Sequence, residues 1–312
     1  MKEDTLGKYV VRRLIQMVPV LLGTTLIIFF LVFMLPGDPT VGRCGERPCS
    51  PTYVAAFRAE YNLDKPFFIQ YLLYLGKLLQ GDLGTNYYHN SVAHELAIRY
   101  PTTVKLAFIA LLFITIVGIA AGIIAGIRKG KFIDNLVILT TLVFISAPVF
   151  VVGGLAQYFI GIKLGWAPIT AGDGTWKQLI MPGLVLGSLS VAYAARLTRT
   201  SLVENLRADY VRTAKAKGLS TARTVGLHTL RNSLLPVVTY IGASFGVLMV
   251  GAIVTERIFN INGVGFFIFR SIQQRDGVSV VGAVLCLVLV YLIVNLIVDL
   301  LYGVLDPRIS HD

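Results

Sequence analysis

The stretch Asp209–Pro236, DYVRTAKAKGLSTARTVGLHTLRNSLLP, is a basic interval between two apolar runs, and its reading decides the fold. It holds five Lys or Arg residues (Arg212, Lys215, Lys217, Arg223 and Arg231), with Arg199 and Arg207 just upstream. Read as a helix, Asp209–Lys217 puts Tyr210, Thr213 with Ala214, and Lys217 on one face by i, i+3/i+4, i+7 spacing. Gly218 stops that helix as a C-terminal glycine does. Ser220 or Thr221 is a suitable N-cap for a second helix that runs through Arg231 towards Pro236. The expected unit is helix, glycine, helix, then entry into an apolar run: a stiff lever joined to two membrane helices. A basic loop kept on one side of a membrane, with no further task, would carry the same charge.

Outward from this interval the chain is apolar. Of 312 residues, 55% are hydrophobic and only 14% charged. A soluble domain carries about 25% charged residues, so the deficit points to lipid as the solvent. Crossing a hydrocarbon core takes at least about 18 uncharged residues. Six windows qualify: Leu14–Leu35, Leu106–Ile127, Asn135–Ile162, Gln178–Ala195, Asn232–Thr255 and Gly277–Val298. The fourth is the shortest and carries Ser188, Ser190 and Tyr193. In lipid each must be helical, because unpaired backbone groups have no water to bond. Six spans put both termini on one side.

The first window follows Lys8, Arg12 and Arg13, as a signal peptide would. Its 22 uncharged residues exceed a signal-peptide core, and LPGDP (35–39) follows in place of a small-residue cleavage site, so a retained anchor is expected. Short-loop cations set orientation. Lys2, Lys8, Arg12, Arg13, then Arg128, Lys129 and Lys131, then the basic interval, share one side with a cytoplasmic N-terminus. The opposite short loop holds only Lys163 and Lys177, while Pro36–Thr103, at 68 residues, is too long to weigh. Topology accounts for much of the net charge of +11 and leaves no need for nucleic acid.

Between these spans, Pro51–Tyr61 and Pro66–Leu79 read as helices, the second too aromatic to stand in water, so it lies on the outer membrane surface or against other helices. GDLGTNYYHN is turn-rich, and Ser91–Arg99 reads as a further short helix leading into the membrane. Gly118, Gly122 and Gly126 form a small-xxx-small stripe, expected to pack within the chain or against another subunit. Pro148 invites a kink in the third span, and Pro182 reads as a first-turn residue of the fourth. Beyond the fifth span, Asn260–Gly265 is a turn and Phe266–Gln274 a short aromatic helix. Cys44 and Cys49, in RCGERPCS, form either a disulfide or two free thiols, and Cys286 is a small apolar packer.

Residues able to do chemistry are sparse. The four histidines, His89, His94, His228 and His311, lack a zinc-ligand set. No Gly-x-Ser-x-Gly elbow or carboxylate pair occurs. The nearest approach to a phosphate-binding loop, AGIRKGKF, has Ala125 and Phe132 where Gly and Ser/Thr are needed. Glu256 and Asp299 stand at span ends, where an interfacial place costs least. Ser146, Gln157, Ser244 and Asn295 either face a polar path or bond a neighbouring helix.

At the basic interval the chain resembles the type I ABC importer permeases. Their cytoplasmic loop runs Glu-Ala-Ala, three residues, Gly, then a stretch ending in Leu-Pro. Here Arg212-Thr213-Ala214, Gly218 and Leu235-Pro236 take those places. Only the last alanine of the triplet matches, and the glycine-to-proline gap of 18 exceeds the general pattern. Both departures resemble the peptide/nickel branch. So do VVRRLIQMVPVLLG, YNLDKPFFIQYLLYLGKLLQGDLG, PTTVKLA and DPR, which extend the resemblance over nearly all the chain. It looks like the first permease subunit of a dipeptide or oligopeptide importer.

The resemblance implies an all-α integral membrane protein of the prokaryotic plasma (inner) membrane, with six helices and both termini cytoplasmic. Residues 1–103 would hold the anchor (about 10–35) and a long extracytoplasmic segment. Residues 104–306 would form the permease core, with helices at about 104–127, 133–162, 178–199, 232–256 and 277–302 and a coupling segment at 207–231. It implies a homologous second permease, two ATPase subunits or domains that use ATP and Mg, an extracytoplasmic substrate-binding protein, and no cofactor on this chain. Asp209, Tyr210, Thr213, Ala214, Lys217 and Gly218 would dock on an ATPase; Arg231, Asn232, Leu235 and Pro236 would fix the return into the fifth span. Nickel or glutathione import stays open within the family. An ion-coupled secondary transporter would want mid-span acids or broken repeats, and a membrane enzyme a convergent polar set; neither pattern stands out.

Overall fold

The computed structural model describes residues 3–33, 40, 49–86 and 88–305. In order they form α1 (Glu3–Phe33), α2 (Pro51–Glu60), α3 (Phe67–Leu79), α4 (Val92–Phe113), π1 (Ile114–Gly118), α5 (Ile119–Ile127), α6 (Phe132–Ser146), α7 (Val149–Ala156), π2 (Gln157–Lys163) and α8 (Trp176–Asn205). There follow α9 (Asp209–Ala216), α10 (Thr221–Arg223), π3 (Thr224–Thr229), α11 (Leu230–Ile258), α12 (Val264–Gln273) and α13 (Gly277–Leu305). No strand forms among the described residues; Thr85 and Ser91 make an isolated bridge. LPGDP (35–39), Cys44 and the DPR tail lie outside the described residues, and with Cys44 the expected pairing to Cys49.

Among the described residues, five helical runs are long and apolar enough to cross a membrane: Val10–Phe33, Val92–Ile127, Trp176–Asn205, Thr224–Ile258 and Gly277–Val298. The expected third span is instead broken. Phe132–Ser146 and Val149–Lys163 meet at 104°, far beyond a kink. Ala147 (ψ 123°) and Pro148 (ψ 140°) are extended, because a residue before proline is pushed out of the helical region and Pro148 cannot donate back. At 15 residues, the first arm reaches only about 22 Å.

The compact units are residues 104–261, and residues 1–103 with 262–312. Within the 104–261 unit, the long run through α4, π1 and α5 lies along α8. A Cβ on Gly183 would meet Ile109 Cγ2 at 2.5 Å, one on Gly187 the Ala110 carbonyl at 3.1 Å, and one on Gly118 the Ala194 Cβ at 2.8 Å. Gly122 faces Thr198, and Gly126 faces Leu202 at 2.9 Å. The glycine stripe therefore packs inside the chain, and α8 returns glycines of its own at the other end of the seam. Residue numbers rise together along it, so the two helices run parallel. The bent pair between them must carry the chain back, and counts as one net crossing. Counted so, the described residues supply up to six spans.

In the other unit, Phe29 and Phe33 share a cavity with Val281 and Val278, and Gly277 abuts Val32, so the end of α1 packs against the start of α13. α3 packs on α1. Phe29 stands 6.0 Å from Phe67, 5.7 Å from Tyr71 and 5.2 Å from Tyr74, and the Thr25 and Tyr71 hydroxyls are 2.6 Å apart. Its opposite face leaves Phe68 and Leu72 exposed, an apolar surface that suits lipid.

Pro182 and Pro236, read at helix ends, lie inside helices, as does Pro101. Pro101 is within α4, so the short helix expected at Ser91–Arg99 continues into the second span; Pro182 is buried in α8, and Pro236 sits in α11. Neighbouring helices and side chains re-satisfy the groups a proline frees in lipid, which is why these helices run on. Glu256, read as interfacial, is fully enclosed at the end of α11, where the chain folds back and Ile261 N–H donates to the Glu256 carbonyl at 2.8 Å.

Candidate functional site

The basic interval folds as α9, a glycine break, α10 and π3, and then α11. Asp209 in the first turn of α9 and Lys217 just past its end both complement the helix dipole. Lys217 N–H donates to Thr213 O at 3.0 Å and Leu219 N–H to Ala214 O at 3.2 Å. Between them Gly218 takes φ +81°, a left-handed turn that a side chain would strain. Nothing lies within 4 Å of where its Cβ would be, so its role is conformational and not steric.

The helix has two sides. Val211 and Ala214 are buried, and α9 packs on π3. Tyr210, Arg212, Thr213, Ala216 and Lys217 are outward, and Asp209 is 96% exposed. The face expected to group Ala214 with Tyr210, Thr213 and Lys217 therefore loses Ala214, whose small side chain lets α9 sit close on the segment beneath. The exposed Arg212–Asp209 pair, at 3.7 Å, contributes little to stability. Tyr210 hydroxyl donates to Asn205 Oδ1 at 2.8 Å and ties α9 to the end of α8.

The second half differs from a plain helix. After Thr221–Arg223 the backbone widens into π3 over Thr224–Thr229, a form concentrated at functional sites. Thr229 Oγ1 donates to Thr224 O at 3.0 Å within it, while the buried Thr224 Oγ1 has no partner. Ser233 Oγ donates to Thr229 O at 2.8 Å and to Ser201 O of α8 at 3.5 Å, closing α11 onto α8. Ser233 and Val237 face inward, whereas Arg231, Asn232, Leu235 and Pro236 face outward. Those four form an outer surface of α11, and its return to the bundle runs through Ser233.

A partly buried ion pair stands at the root of this segment. Asp134, 1% exposed, receives Arg199 Nε at 2.5 Å and Arg199 Nη2 at 2.7 Å, and also accepts Gly130 N–H at 2.8 Å. The α5–α6 turn is thereby fixed to α8 ten residues before α9. Sequence reading passed over Asp134 as the edge of an uncharged window and took Arg199 as lead-in charge. A lone acid beside Lys129 and Lys131 was the available signal.

The four candidate pathway residues lie at separate places in the fold. Gln157 Nε2 donates to Ile169 O at 2.9 Å and Ile258 O at 3.0 Å, holding the α7–π2 arm to the end of α11. Ser244 Oγ bonds back to Tyr240 O at 2.7 Å; Ser146 is exposed at the α6 end, and Asn295 is half-buried in α13. No group of three His, Cys, Asp or Glu side chains able to hold a metal comes together among the described residues.

Sequence comparison matches residues 118–311 to the family described as binding-protein-dependent transport system inner membrane component. Residues 6–107 match the N-terminal membrane component of the same systems. The dipeptide transport system permease protein of Alkalihalophilus pseudofirmus is 35% identical over 97% of this chain and 99% of the relative. That of Escherichia coli K12 is 36% identical, again over 97% and 99%. The glutathione transport system permease protein of the same strain is also 36% identical over 97% and 99%.

Proposed function

We infer the function from one premise: this chain belongs to the binding-protein-dependent transport system inner membrane component family. It is a multi-pass permease subunit of an ABC importer of the peptide branch. The observation that carries the peptide reading is identity of 35–37% along essentially the whole length of dipeptide and di/tripeptide permeases. The glutathione permeases, at 36–37%, favour one second reading, a γ-linked peptide as cargo.

The finer assignments are ours. The outward face of α9 with Gly218 docks in a groove on an ATPase subunit that uses ATP and Mg, and the termini lie on that cytoplasmic side. A homologous second permease completes the path, and an extracytoplasmic binding protein delivers the substrate. The support is physical. An ATPase pair outside the lipid can bias a two-state pore only through a contact it binds differently in its two states. A short helix with a polar outward face and a buried inner face, rooted in a bidentate ion pair, is stiff enough to pass that bias to α8 and α11. Reconstituted with its partners in proteoliposomes, the chain is expected to support dipeptide accumulation that stops when the ATPases are made catalytically dead. Accumulation that continues under an ion gradient alone would overturn the ATP-driven reading. Competition by glutathione against a plain dipeptide separates the two cargoes.

A further inference from the structure

One polar cavity lies outside the lever and its seam. In the unit formed by residues 1–103 and 262–312, a space of about 220 Å³ is lined by Tyr88, Glu95, Arg99, Arg270, Ser271 and Asp276, among others. The acids there already hold internal donors. Glu95 receives Asn90 Nδ2 at 3.0 Å and Arg99 Nη1, and Asp276 receives Ser279 Oγ at 2.6 Å and Ser279 N–H at 3.4 Å.

The cations are less occupied. Arg270 donates Nη2 to the Tyr88 hydroxyl at 2.9 Å and stands 5.5 Å over that ring, and neither contact supplies a carboxylate. Arg99, held by Glu95 and 5.0 Å over Phe267, keeps a buried Nε without a partner. Gln274 Nε2 also bonds the Tyr88 hydroxyl, at 3.0 Å, so the surface against which Arg270 lies is fixed before any ligand arrives. A guanidinium fork with free N–H groups matches a carboxylate in both charge and shape. The carboxylate of Glu95 in the same cavity suits an ammonium and repels a phosphate dianion.

We propose that this cavity binds a small zwitterion, an amino acid or a dipeptide, with its carboxylate on Arg270. Pockets that enclose a whole drug-sized ligand run to about 300–1,000 Å³, so this smaller one suits a ligand of amino-acid or dipeptide size. The proposal rests on the peptide-import reading and adds a subsite on the permease itself, separate from any binding protein.

The test is equilibrium binding to the full-length permease in lipid nanodiscs, with no binding protein present and alanyl-alanine as the probe. Saturable binding is expected to weaken on the order of tenfold or more when the probe is the alanyl-alanine amide, because the site's donors are then left unpaired. Arg270→Gln is expected to give a similar loss with unchanged thermal unfolding. Tyr88→Phe, which leaves Arg270 in place without its anchor, is expected to give a smaller loss. Equal binding of the peptide and its amide, equal binding by Arg270→Gln, displacement by inorganic phosphate as effective as by the peptide, or no saturable binding would each overturn the proposal. ATP-driven uptake by the wild-type importer is scored in parallel. Uptake without binding to the permease removes this site and leaves the transport function standing.

Discussion

Gly122 and Gly218 are the same residue used for opposite reasons. At Gly122 the backbone is ordinary helix and the space is gone: an added Cβ would meet the Thr198 side chain, and the Ala195 carbonyl at 2.6 Å. At Gly218 the space is open and the backbone is special, with φ +81°. The first glycine belongs to a buried seam that sets how closely α5 and α8 approach. The second sets the exit angle of an exposed helix. Small residues in the seam are explained by the chain's own packing, whereas the polar face beside Gly218 points outward, and it is there that we propose an ATPase docks.

The contrast predicts that changes at the seam appear as lost folded protein, and changes at the lever as lost transport by well-folded protein. The largest effect is expected at the partly buried pair that joins the two regions. Asp134→Ala leaves the Arg199 guanidinium without its carboxylate and should lower stability by about 3–5 kcal/mol, read as a fall in folded yield and unfolding temperature in detergent. Asp134→Leu combined with Arg199→Met should recover much of that loss, since removing both charges leaves neither unpaired. Next comes Gly122→Ala, where the new methyl group presses on backbone as well as side chain. A loss of about 1–3 kcal/mol is expected by the same measurement.

The lever variants should fall below these in stability and exceed them in specific effect. Gly218→Val is expected to cost about 1–2 kcal/mol for the strained left-handed turn, yet to abolish ATP-dependent uptake at normal membrane insertion. Lys217→Glu, on the exposed face, should change stability by no more than about 0.5 kcal/mol and still reduce uptake, with ATP hydrolysis no longer responding to substrate. If Gly122→Ala spared folding while Gly218→Val destroyed it, the roles assigned to the two glycines would be reversed.

Much of this division was legible in the sequence. Glycines spaced four apart mark a close-packed face, and a glycine after an amphipathic basic run marks a helix end, because both depend on local geometry. The partner of the stripe was not legible, since Ala194, Thr198 and Leu202 are brought to it by a chain reversal far downstream. Asp134 and Arg199 escaped for the same reason, being 65 residues apart. Prolines misled in both directions. Pro101, Pro182 and Pro236 continue helices because packing in lipid re-satisfies what they free, while Pro148, with extended residues at its break, turns the chain through 104°. Helical spacing alone placed Ala214 on the outward face; the fold of π3 beneath α9 turned it inward.

The docking of α9 is tested most directly by placing a single cysteine at Lys217 in the assembled importer and crosslinking during turnover. The account predicts a covalent product with an ATPase subunit, formed from the cytoplasmic side, that halts dipeptide uptake until the link is reduced. A cysteine at Lys217 that reacts only from the exterior, or that joins no nucleotide-hydrolysing subunit while uptake proceeds, would contradict it.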